Sequence, residues 1–402
     1  MTTYSYNRVK QRPTPSIRFT PAMLTSKLPH VGTTIFTKMS ALAQEVGALN
    51  LSQGFPDFDA HPSLREAMQN HVGKGHNQYA PMAGVMALRE AVAQQISNFR
   101  NVQCNPETEI TILPGATEGI YCAIMASVNA GDEVIVFDPS YDSYAPSVEL
   151  AGGRCVRLPL KTPSFSIDWE LVKGAVTPRT RMIIINSPHN PTGAVVSHED
   201  MLQLEVLADT HNLLVVSDEV YEHLVFDTAQ HHSVLQYPAL RERSFAVYSF
   251  GKTYSVTGWK TGYCVAPAQL TEELRKVHQF VCFVAVTPVQ LALADFMRLE
   301  PNYPLSLSEF YQAKRDLFCA AMEDSRFTLT PSLGTYFQLL DYSAICSESD
   351  ESLARKWTRE HGIASIPISV FYEDAPPQHY LRFCFAKNDD VLKAAAEKLC
   401  AI

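Results

Sequence analysis

Lys252 has sequence surroundings that could support covalent chemistry. It lies within residues 249–260 (SFGKTYSVTGWK), directly after the apolar run Phe245–Tyr248. A lysine held at a strand end among hydroxyls and glycines can have a depressed pKa, and a neutral amine is the form that attacks an aldehyde. Because most lysines are solvated surface groups, this motif is weak evidence when it is taken alone.

A carboxylate and an amide also appear where apolar segments end. Asp218 follows the apolar residues 214–216, and an acid there either caps the next turn or faces a cationic group of a ligand. Residues 186–193 (NSPHNPTG) follow another apolar segment, and their prolines and glycine predict a fixed turn that directs polar side chains beyond the end of the strand. The alternative is a turn with a purely structural role.

Small residues join a strand to a helix at residues 114–118 (PGATE). At such a junction the backbone N–H groups and the helix dipole can approach a phosphate, and a threonine adds a hydroxyl. The segment is neither a Walker loop nor a dinucleotide fingerprint. Taken as an isolated loop, the segment does not identify a function.

The elements that must position these groups alternate along the chain. From about residue 51 to 266, short apolar runs alternate with helical patterns, which predicts an α/β domain whose mostly parallel sheet is covered by helices on both faces. Ligands of such sheets bind at the carboxyl ends of the strands. The predicted strands are Ile110–Leu113, Val134–Phe137, Met182–Asn186, Leu213–Asp218, Phe245–Ser249 and Tyr263–Ala266, with helices at Glu118–Val128 and Glu199–Thr210.

A smaller α+β domain is predicted after the last of these strands. Helical patterns cover about 270–299, 305–323, 351–361 and 389–401, and Phe36, Met39, Leu42 and Ala43 fall on one face of an N-terminal helix. The predicted division is 1–50 for an N-terminal arm and part of the small domain, 51–299 for the large domain, and 300–402 for the small C-terminal domain.

Composition limits the possible partners of this 402-residue chain. The net charge of −9 argues against nucleic acid and anionic membranes, and no apolar run is long enough to span a bilayer. The nine cysteines are widely spaced and contain no C-x-x-C pair, which is typical of buried thiols in a cytoplasmic protein. No metal site is predicted.

The N-terminal residues before Glu45 include basic side chains and no acids, which resembles an organelle transit peptide. Pro13, Pro15 and Pro21 would interrupt an amphipathic helix and favour a solvated arm instead. These basic residues are Arg8, Lys10, Arg12, Arg18, Lys27 and Lys38.

Taken together and in this order, the motifs resemble those of the fold-type-I enzymes that use pyridoxal 5′-phosphate (PLP), and among them the class I/II aminotransferases. The resemblance extends from residues 50–58 (NLSQGFPDF) to 380–386 (YLRFCFA). These two motifs, with 77–79 (NQY) and 257–260 (TGWK), are most similar to the methionine and kynurenine/glutamine aminotransferase branch. The resemblance implies an aspartate-aminotransferase-like fold and PLP as cofactor.

The resemblance also implies roles for the residues around the cofactor ring. Lys252 forms the covalent link to PLP and moves the proton during catalysis, and Asp218 pairs with the pyridine nitrogen. Asn190 and Tyr221 hydrogen-bond the phenolic oxygen of the ring, and Tyr141 stacks on its face.

The resemblance implies that the phosphate is bound by the backbone at Gly115, Ala116 and Thr117, by the Ser249 hydroxyl and by the Lys260 ammonium. Many relatives have arginine at the position of Lys260, and lysine supplies charge without a bidentate fork. Tyr79 reaches the same phosphate from the other subunit of a homodimer.

For the substrate, the resemblance implies that Arg382 binds the α-carboxylate, with Asn190 and the backbone at Gly54 beside it. The function implied is an aminotransferase that moves an amino group from an L-amino acid, namely methionine, an aromatic amino acid, kynurenine or glutamine, to a 2-oxo acid by a ping-pong mechanism. The alternative on the same scaffold is a carbon–sulfur β-lyase that acts on cysteine conjugates. A PLP-responsive transcription regulator is disfavoured, because residues 1–50 leave little room for a DNA-binding module.

Overall fold

The structure is a computed structural model that describes residues 25–402. Arg8, Lys10, Arg12 and Arg18, on which the transit-peptide hypothesis depends, lie outside these residues. Within the described part of the chain, no helix has the length and apolar character needed to cross a membrane.

Helices pack against both faces of the main sheet and also contact the strands of the smaller sheets. The helix His198–Thr210, for example, begins with a capping box in which Ser197 and Asp200 exchange hydrogen bonds, and the helix Ile35–Val46 ends at Gly47 in the left-handed conformation. The helices are α1 Ile35–Val46, α2 Pro62–Gly73, α3 Met86–Arg100, α4 Ala116–Ser127, α5 Tyr144–Leu150, α6 Trp169–Ala175, α7 His198–Thr210, α8 Pro238–Arg241, α9 Phe250–Thr253, α10 Ala268–Val281, α11 Thr287–Leu299, α12 Leu305–Ala321, α13 Asp350–Glu360 and α14 Asp389–Cys400.

Twelve strands of the described residues form three sheets. The main sheet has the order β2-β8-β7-β6-β5-β3-β4, in which only β8 runs antiparallel to its neighbours. A three-stranded antiparallel sheet has the order β11-β12-β9, and β1 pairs with β10. The strands are β1 Leu49–Asn50, β2 Ile110–Leu113, β3 Glu133–Asp138, β4 Arg154–Pro159, β5 Thr180–Asn186, β6 Leu214–Asp218, β7 Ser244–Ser249, β8 Gly262–Val265, β9 Phe337–Asp341, β10 Ile363–Ala364, β11 Ile366–Pro367 and β12 Tyr380–Cys384.

The main sheet is buried on both faces, as the unbroken apolar segments predict. Val134 and Val136 of β3 pack into the hydrophobic cluster on one face, and Ile135 and Phe137 pack into the cluster on the other. The predicted strands are confirmed, each within two residues of its observed bounds. The predicted α/β architecture, a mostly parallel sheet covered by helices with a separate smaller sheet, is also confirmed.

Three details differ from the sequence-based expectation. The helix predicted over about 270–299 is two helices, because the chain breaks at residues 282–286, where Phe283 has φ of +74°. Edge strand β4 was not predicted, since its alternation with arginines lacks the apolar run of the buried strands. Lys252 lies in the short helix α9 instead of a loop.

The register of the parallel strands brings the predicted motifs together. Asn186 and Asp218 are direct neighbours at the carboxyl ends of β5 and β6, and Ser249 ends β7 beside them. The smaller sheet contributes Arg382 from the middle of β12. The domain boundaries proposed from the sequence, at residues 50 and 299, stay a prediction.

Candidate active site

A cavity of about 770 Å³, open to solvent, lies at the carboxyl ends of the main-sheet strands. It is lined by every residue that the sequence analysis assigned to the cofactor except Tyr79. Those residues are Gly115, Ala116, Thr117, Tyr141, Asn190, Asp218, Tyr221, Ser249, Lys252 and Lys260. The cavity also has lining residues that were not predicted, namely Ile120, Asn186, Val220, Gly251, Thr257 and Thr261.

Asp218 is a buried carboxylate at the floor of this cavity. The Tyr144 hydroxyl donates to its Oδ2 at 2.6 Å, and the Val220 N–H donates to its Oδ1 at 3.3 Å. Burial raises the pKa of Asp218 to about 6, against the lowering by these hydrogen bonds. Among the described residues no cationic side chain forms a salt bridge with it, so the carboxylate is suited to pair with a cationic ligand group such as a protonated ring nitrogen.

Asn186 fixes the position of Asn190. Its Nδ2 donates to the backbone oxygen of Asp218 at 2.9 Å, and its Oδ1 accepts from the Asn190 N–H at 2.8 Å. The rigid turn predicted at residues 186–193 therefore ties the Asn190 backbone, through Asn186, to the strand that ends in Asp218. Tyr221 is buried at the same end of the sheet, and burial raises the pKa of its hydroxyl.

Lys252 is held by two hydrogen bonds on one side of the cavity. Its Nζ donates to the Gly54 carbonyl oxygen at 3.1 Å and to the Tyr336 hydroxyl at 2.7 Å. Burial lowers the pKa of Lys252 to about 8. At neutral pH the amine is therefore still mostly protonated, but its neutral fraction is far larger than that of an ordinary lysine, and the neutral amine is the form that can attack an aldehyde or accept a proton.

The opposite end of the cavity can bind an anion. Helix α4 begins there, so the N–H groups of Ala116 and Thr117 lack intrahelical acceptors, and Lys260 Nζ donates to the Thr117 hydroxyl at 3.3 Å. Gly115 has φ of +85°, and a Cβ there would lie 3.3 Å from Cδ of Lys260. Glycine therefore leaves room for both the backbone and the lysine to face a phosphate.

The donor set fits PLP, which needs one partner for each of three groups. Asp218 can pair with the ring nitrogen, Lys252 can bind the aldehyde, and the start of α4 with Lys260 can bind the phosphate. Because these groups line a single cavity, one small ligand can reach all of them.

Arg382 is a buried cation without a carboxylate partner among the described residues. It is 1% exposed, and it donates to Asn190 Oδ1 at 2.7 Å and to the Ser52 carbonyl oxygen at 3.1 Å. Its Nε is buried and has no hydrogen-bond partner. Burial lowers the pKa of Arg382 to about 10, and the Phe337 ring lies 3.8 Å from its guanidinium carbon. An incoming carboxylate would supply the missing charge.

Tyr79 lies away from this cavity in the single chain. Its side chain is 83% exposed and contacts the ring of Phe283 edge to face. Its predicted contact with the phosphate of another subunit stays a prediction.

The polar residues around His231 and His232 are typical of a solvated loop, but the side chain of His231 is only 4% exposed. Its Nε2 lies 2.9 Å from Oε2 of Glu219, and both side chains are almost completely buried. The polar stretch gives no sign of this hydrogen-bond contact, because Glu219 lies in another segment, directly after the apolar strand β6.

Three functional candidates were missed from the sequence: Asn186, Tyr144 and Tyr336. Asn186 could have been found, since it ends a predicted strand next to the one that ends in Asp218. Tyr144 and Tyr336 carry no such signal, because their contacts with Asp218 and Lys252 join segments more than 70 residues apart.

Comparison with known proteins identifies relatives over almost the whole chain. The family model for aminotransferase class I and II matches residues 46–399. The methionine aminotransferase of Escherichia coli is 52% identical over 379 residues, which cover 94% of this chain and 98% of that protein. A kynurenine–oxoglutarate transaminase of Dictyostelium discoideum is 34% identical, with 95% of this chain and 96% of the relative covered.

Solved structures agree with these sequence matches. A crystal structure from Escherichia coli, described as having a methionine aminotransferase function, superposes with a TM-score of 0.93 at 51% identity and covers 95% of this chain and 100% of its own. N-succinyldiaminopimelate aminotransferase from Mycobacterium tuberculosis gives a TM-score of 0.91 at 39% identity, covering 94% of this chain and 100% of its own.

Proposed function

The chain belongs to the class I and II aminotransferases, and we propose that its amino donors are methionine, aromatic amino acids, kynurenine and glutamine. It is a PLP-dependent transaminase, and the acceptor is a 2-oxo acid in the second half of a ping-pong cycle. The observation that carries the choice of donor is the 52% identity to the methionine aminotransferase of Escherichia coli. The carbon–sulfur β-lyase alternative is not favoured by the comparisons.

The surroundings of Arg382 support a donor with an apolar side chain. Its guanidinium carbon lies 3.8 Å from the centroid of the Phe337 ring, 5.2 Å from that of Phe371 and 5.4 Å from that of Phe36. A substrate whose carboxylate binds Arg382 would place its side chain near these rings. Thioether and aromatic groups make favourable contacts with aromatic rings, whereas a second carboxylate does not.

Different residues of the chain have different roles in the reaction. Bound PLP supplies an electron sink for the electron pair that remains when the substrate α-carbon loses its proton. Arg382 and Asn190 orient the substrate carboxylate, and Asp218 keeps the ring nitrogen protonated. Nζ of Lys252, once free, would take the proton from the substrate α-carbon and then act as the general acid that returns it.

Donor preference is tested by the first half-reaction alone. Rates of the absorbance change of the bound cofactor are measured in single turnovers with L-methionine, L-phenylalanine, L-kynurenine, L-glutamine and L-aspartate, without any oxo acid. We expect methionine to react at least about tenfold faster than aspartate, because a site with an apolar pocket leaves a second carboxylate unpaired.

A clear preference for aspartate would contradict the proposed donors. Pyruvate and ammonia released from a cysteine conjugate without an oxo acid would instead support the β-lyase.

We also propose that the protein is a cytoplasmic homodimer in which Tyr79 completes the phosphate site of the partner. Tyr79 contacts the ring of Phe283, which is 40% exposed, and it lines a shallow surface groove together with Val286, which is 56% exposed. An apolar patch of this kind is typical of a subunit interface. The nine cysteines form no disulfide, in agreement with a reducing compartment.

Subunit complementation tests this arrangement. Tyr79→Ala and Lys252→Ala chains are expected to be impaired alone, but a mixed dimer has one site with both residues intact. Random mixing should therefore restore about a quarter of the wild-type activity, since half of the dimers are mixed and one of their two sites works. Activity of the mixture no higher than that of the two separate variants would contradict a shared site.

A further inference from the structure

We propose that Tyr336 is a positioning residue that orients the free amine of Lys252 for proton transfer. The inference rests on the proposed role of Lys252. Tyr336 directly precedes strand β9 of the smaller sheet and has no part in the motifs singled out in the sequence.

The Tyr336 hydroxyl lies between Lys252 and the backbone at Gly54. It accepts a hydrogen bond from Lys252 Nζ at 2.7 Å and donates its own proton to the Gly54 carbonyl oxygen. That carbonyl oxygen also accepts from Lys252 Nζ at 3.1 Å. The three groups therefore form a closed triangle of hydrogen bonds.

The direction of these bonds determines how the amine can react. A neutral primary amine has two N–H bonds and one lone pair. When both N–H groups donate, one to Tyr336 and one to Gly54, the lone pair is left for the remaining direction. Because Lys252 lines the cofactor cavity, this direction is available to the α-proton of a bound substrate.

Tyr336 is held in the state that this arrangement requires. It is completely buried, and burial raises the pKa of its hydroxyl well above the usual value. The hydroxyl therefore stays protonated and keeps donating to Gly54, which leaves its oxygen as an acceptor for Lys252. The Tyr336 ring also contacts that of Tyr221 edge to face, with centroids 5.1 Å apart.

The next residue in the chain supports the substrate side of the site. Phe337 lies against the guanidinium of Arg382, and a Cβ on Gly54 would approach Phe337 Cζ to 2.8 Å. Two consecutive side chains thus position the proton-transferring amine and the carboxylate-binding cation. A change at Tyr336 that spares Phe337 should affect proton transfer and leave carboxylate binding almost unchanged.

The test is Tyr336→Phe, which removes the hydroxyl and keeps the ring. The matched control is Tyr311→Phe, because Tyr311 is also completely buried and packs beside Tyr336, but its hydroxyl bonds neither Lys252 nor Gly54. We expect Tyr336→Phe to lower kcat about tenfold or more, since a misplaced reacting group loses rate steeply, while KM stays within about twofold. Tyr311→Phe should change neither constant.

Two further measurements separate positioning from a merely structural effect. The kinetic isotope effect on kcat with the fastest donor, deuterated at the α-carbon, should increase in Tyr336→Phe, because proton transfer becomes more rate-limiting. The rate at which Lys252 of the cofactor-free protein bonds to added PLP, followed by visible absorbance, should fall. An isotope effect and a bonding rate equal to those of Tyr311→Phe would overturn the proposal.

Lys252→Ala is measured beside these variants. If it loses turnover and Tyr336→Phe behaves like the control, only the positioning role of Tyr336 fails. If Lys252→Ala keeps turnover, the proposed role of Lys252 fails, and the positioning role fails with it.

Discussion

Replacing Lys252 by alanine is expected to lower turnover by at least about 10²- to 10⁴-fold, which is the usual contribution of a positioned general acid or base. The variant should also lose the visible absorbance that arises from the covalent link to the cofactor. Lys260 lines the same cavity but cannot substitute, because its Nζ is held by Thr117 at the phosphate end. The measurements are steady-state turnover and the absorbance spectrum of the purified variant after addition of PLP.

The matched control is Lys276→Ala. Lys276 is an exposed lysine of α10 that pairs with Glu272 and Glu273, and its loss should leave turnover and spectrum unchanged. Full turnover with an unchanged spectrum in Lys252→Ala would show that another group carries the chemistry.

Asp218→Asn is expected to have opposite effects on the loaded and the cofactor-free protein. Loss of the carboxylate leaves a protonated ring nitrogen unpaired in a buried site, which costs about 3–5 kcal/mol, so cofactor affinity and turnover should fall by about 10²-fold or more. Equilibrium binding of PLP, followed by fluorescence, and single-turnover rates measure this loss.

Without cofactor, the same substitution should stabilise the protein at neutral pH. Burial raises the pKa of Asp218 to about 6, so its ionisation destabilises the folded state as the pH rises from about 4 to about 6. The free energy of unfolding of cofactor-free Asp218→Asn should therefore be close to that of the wild type at pH 4. At pH 7 it should exceed the wild-type value by on the order of 2–3 kcal/mol. Denaturant titrations of both cofactor-free proteins at the two pH values provide the comparison.

Asp209→Asn is the control for Asp218→Asn, because Asp209 is an exposed acid that pairs with Arg243 on the surface. It should leave cofactor affinity and turnover unchanged, because Asp209 lies outside the cofactor cavity. Equal cofactor affinity in Asp218→Asn and the wild type would contradict the pairing of Asp218 with the ring.

The part of the site that lies at strand ends was predictable from the sequence. Asp218, Asn190 and Ser249 each follow an apolar segment, and parallel strands bring such positions to one edge of a sheet. Lys252 follows in the next helical turn. Local sequence therefore placed the groups that face the cofactor, although it could not give the hydrogen bonds between them.

The supporting contacts were not predictable, because they join distant segments. The bond from Tyr144 to Asp218 and the bond from Tyr336 to Lys252 each depend on how separate elements pack. The break between α10 and α11 was hidden for a related reason: residues 282–286 are as apolar as a helix core, and only the backbone conformation of Phe283 shows the turn. A contact of Tyr79 with another subunit cannot be seen in one chain.

Borohydride reduction of the PLP-loaded protein, followed by peptide mass spectrometry, tests the chemical role of Lys252 most directly. Reduction turns the bond between a lysine nitrogen and the cofactor aldehyde carbon into a stable amine that survives digestion. We expect the added mass on the peptide that contains Lys252, and on no other lysine. Modification of Lys260 instead, or no modified lysine in a protein that still transfers amino groups, would contradict the assignment of the nucleophile.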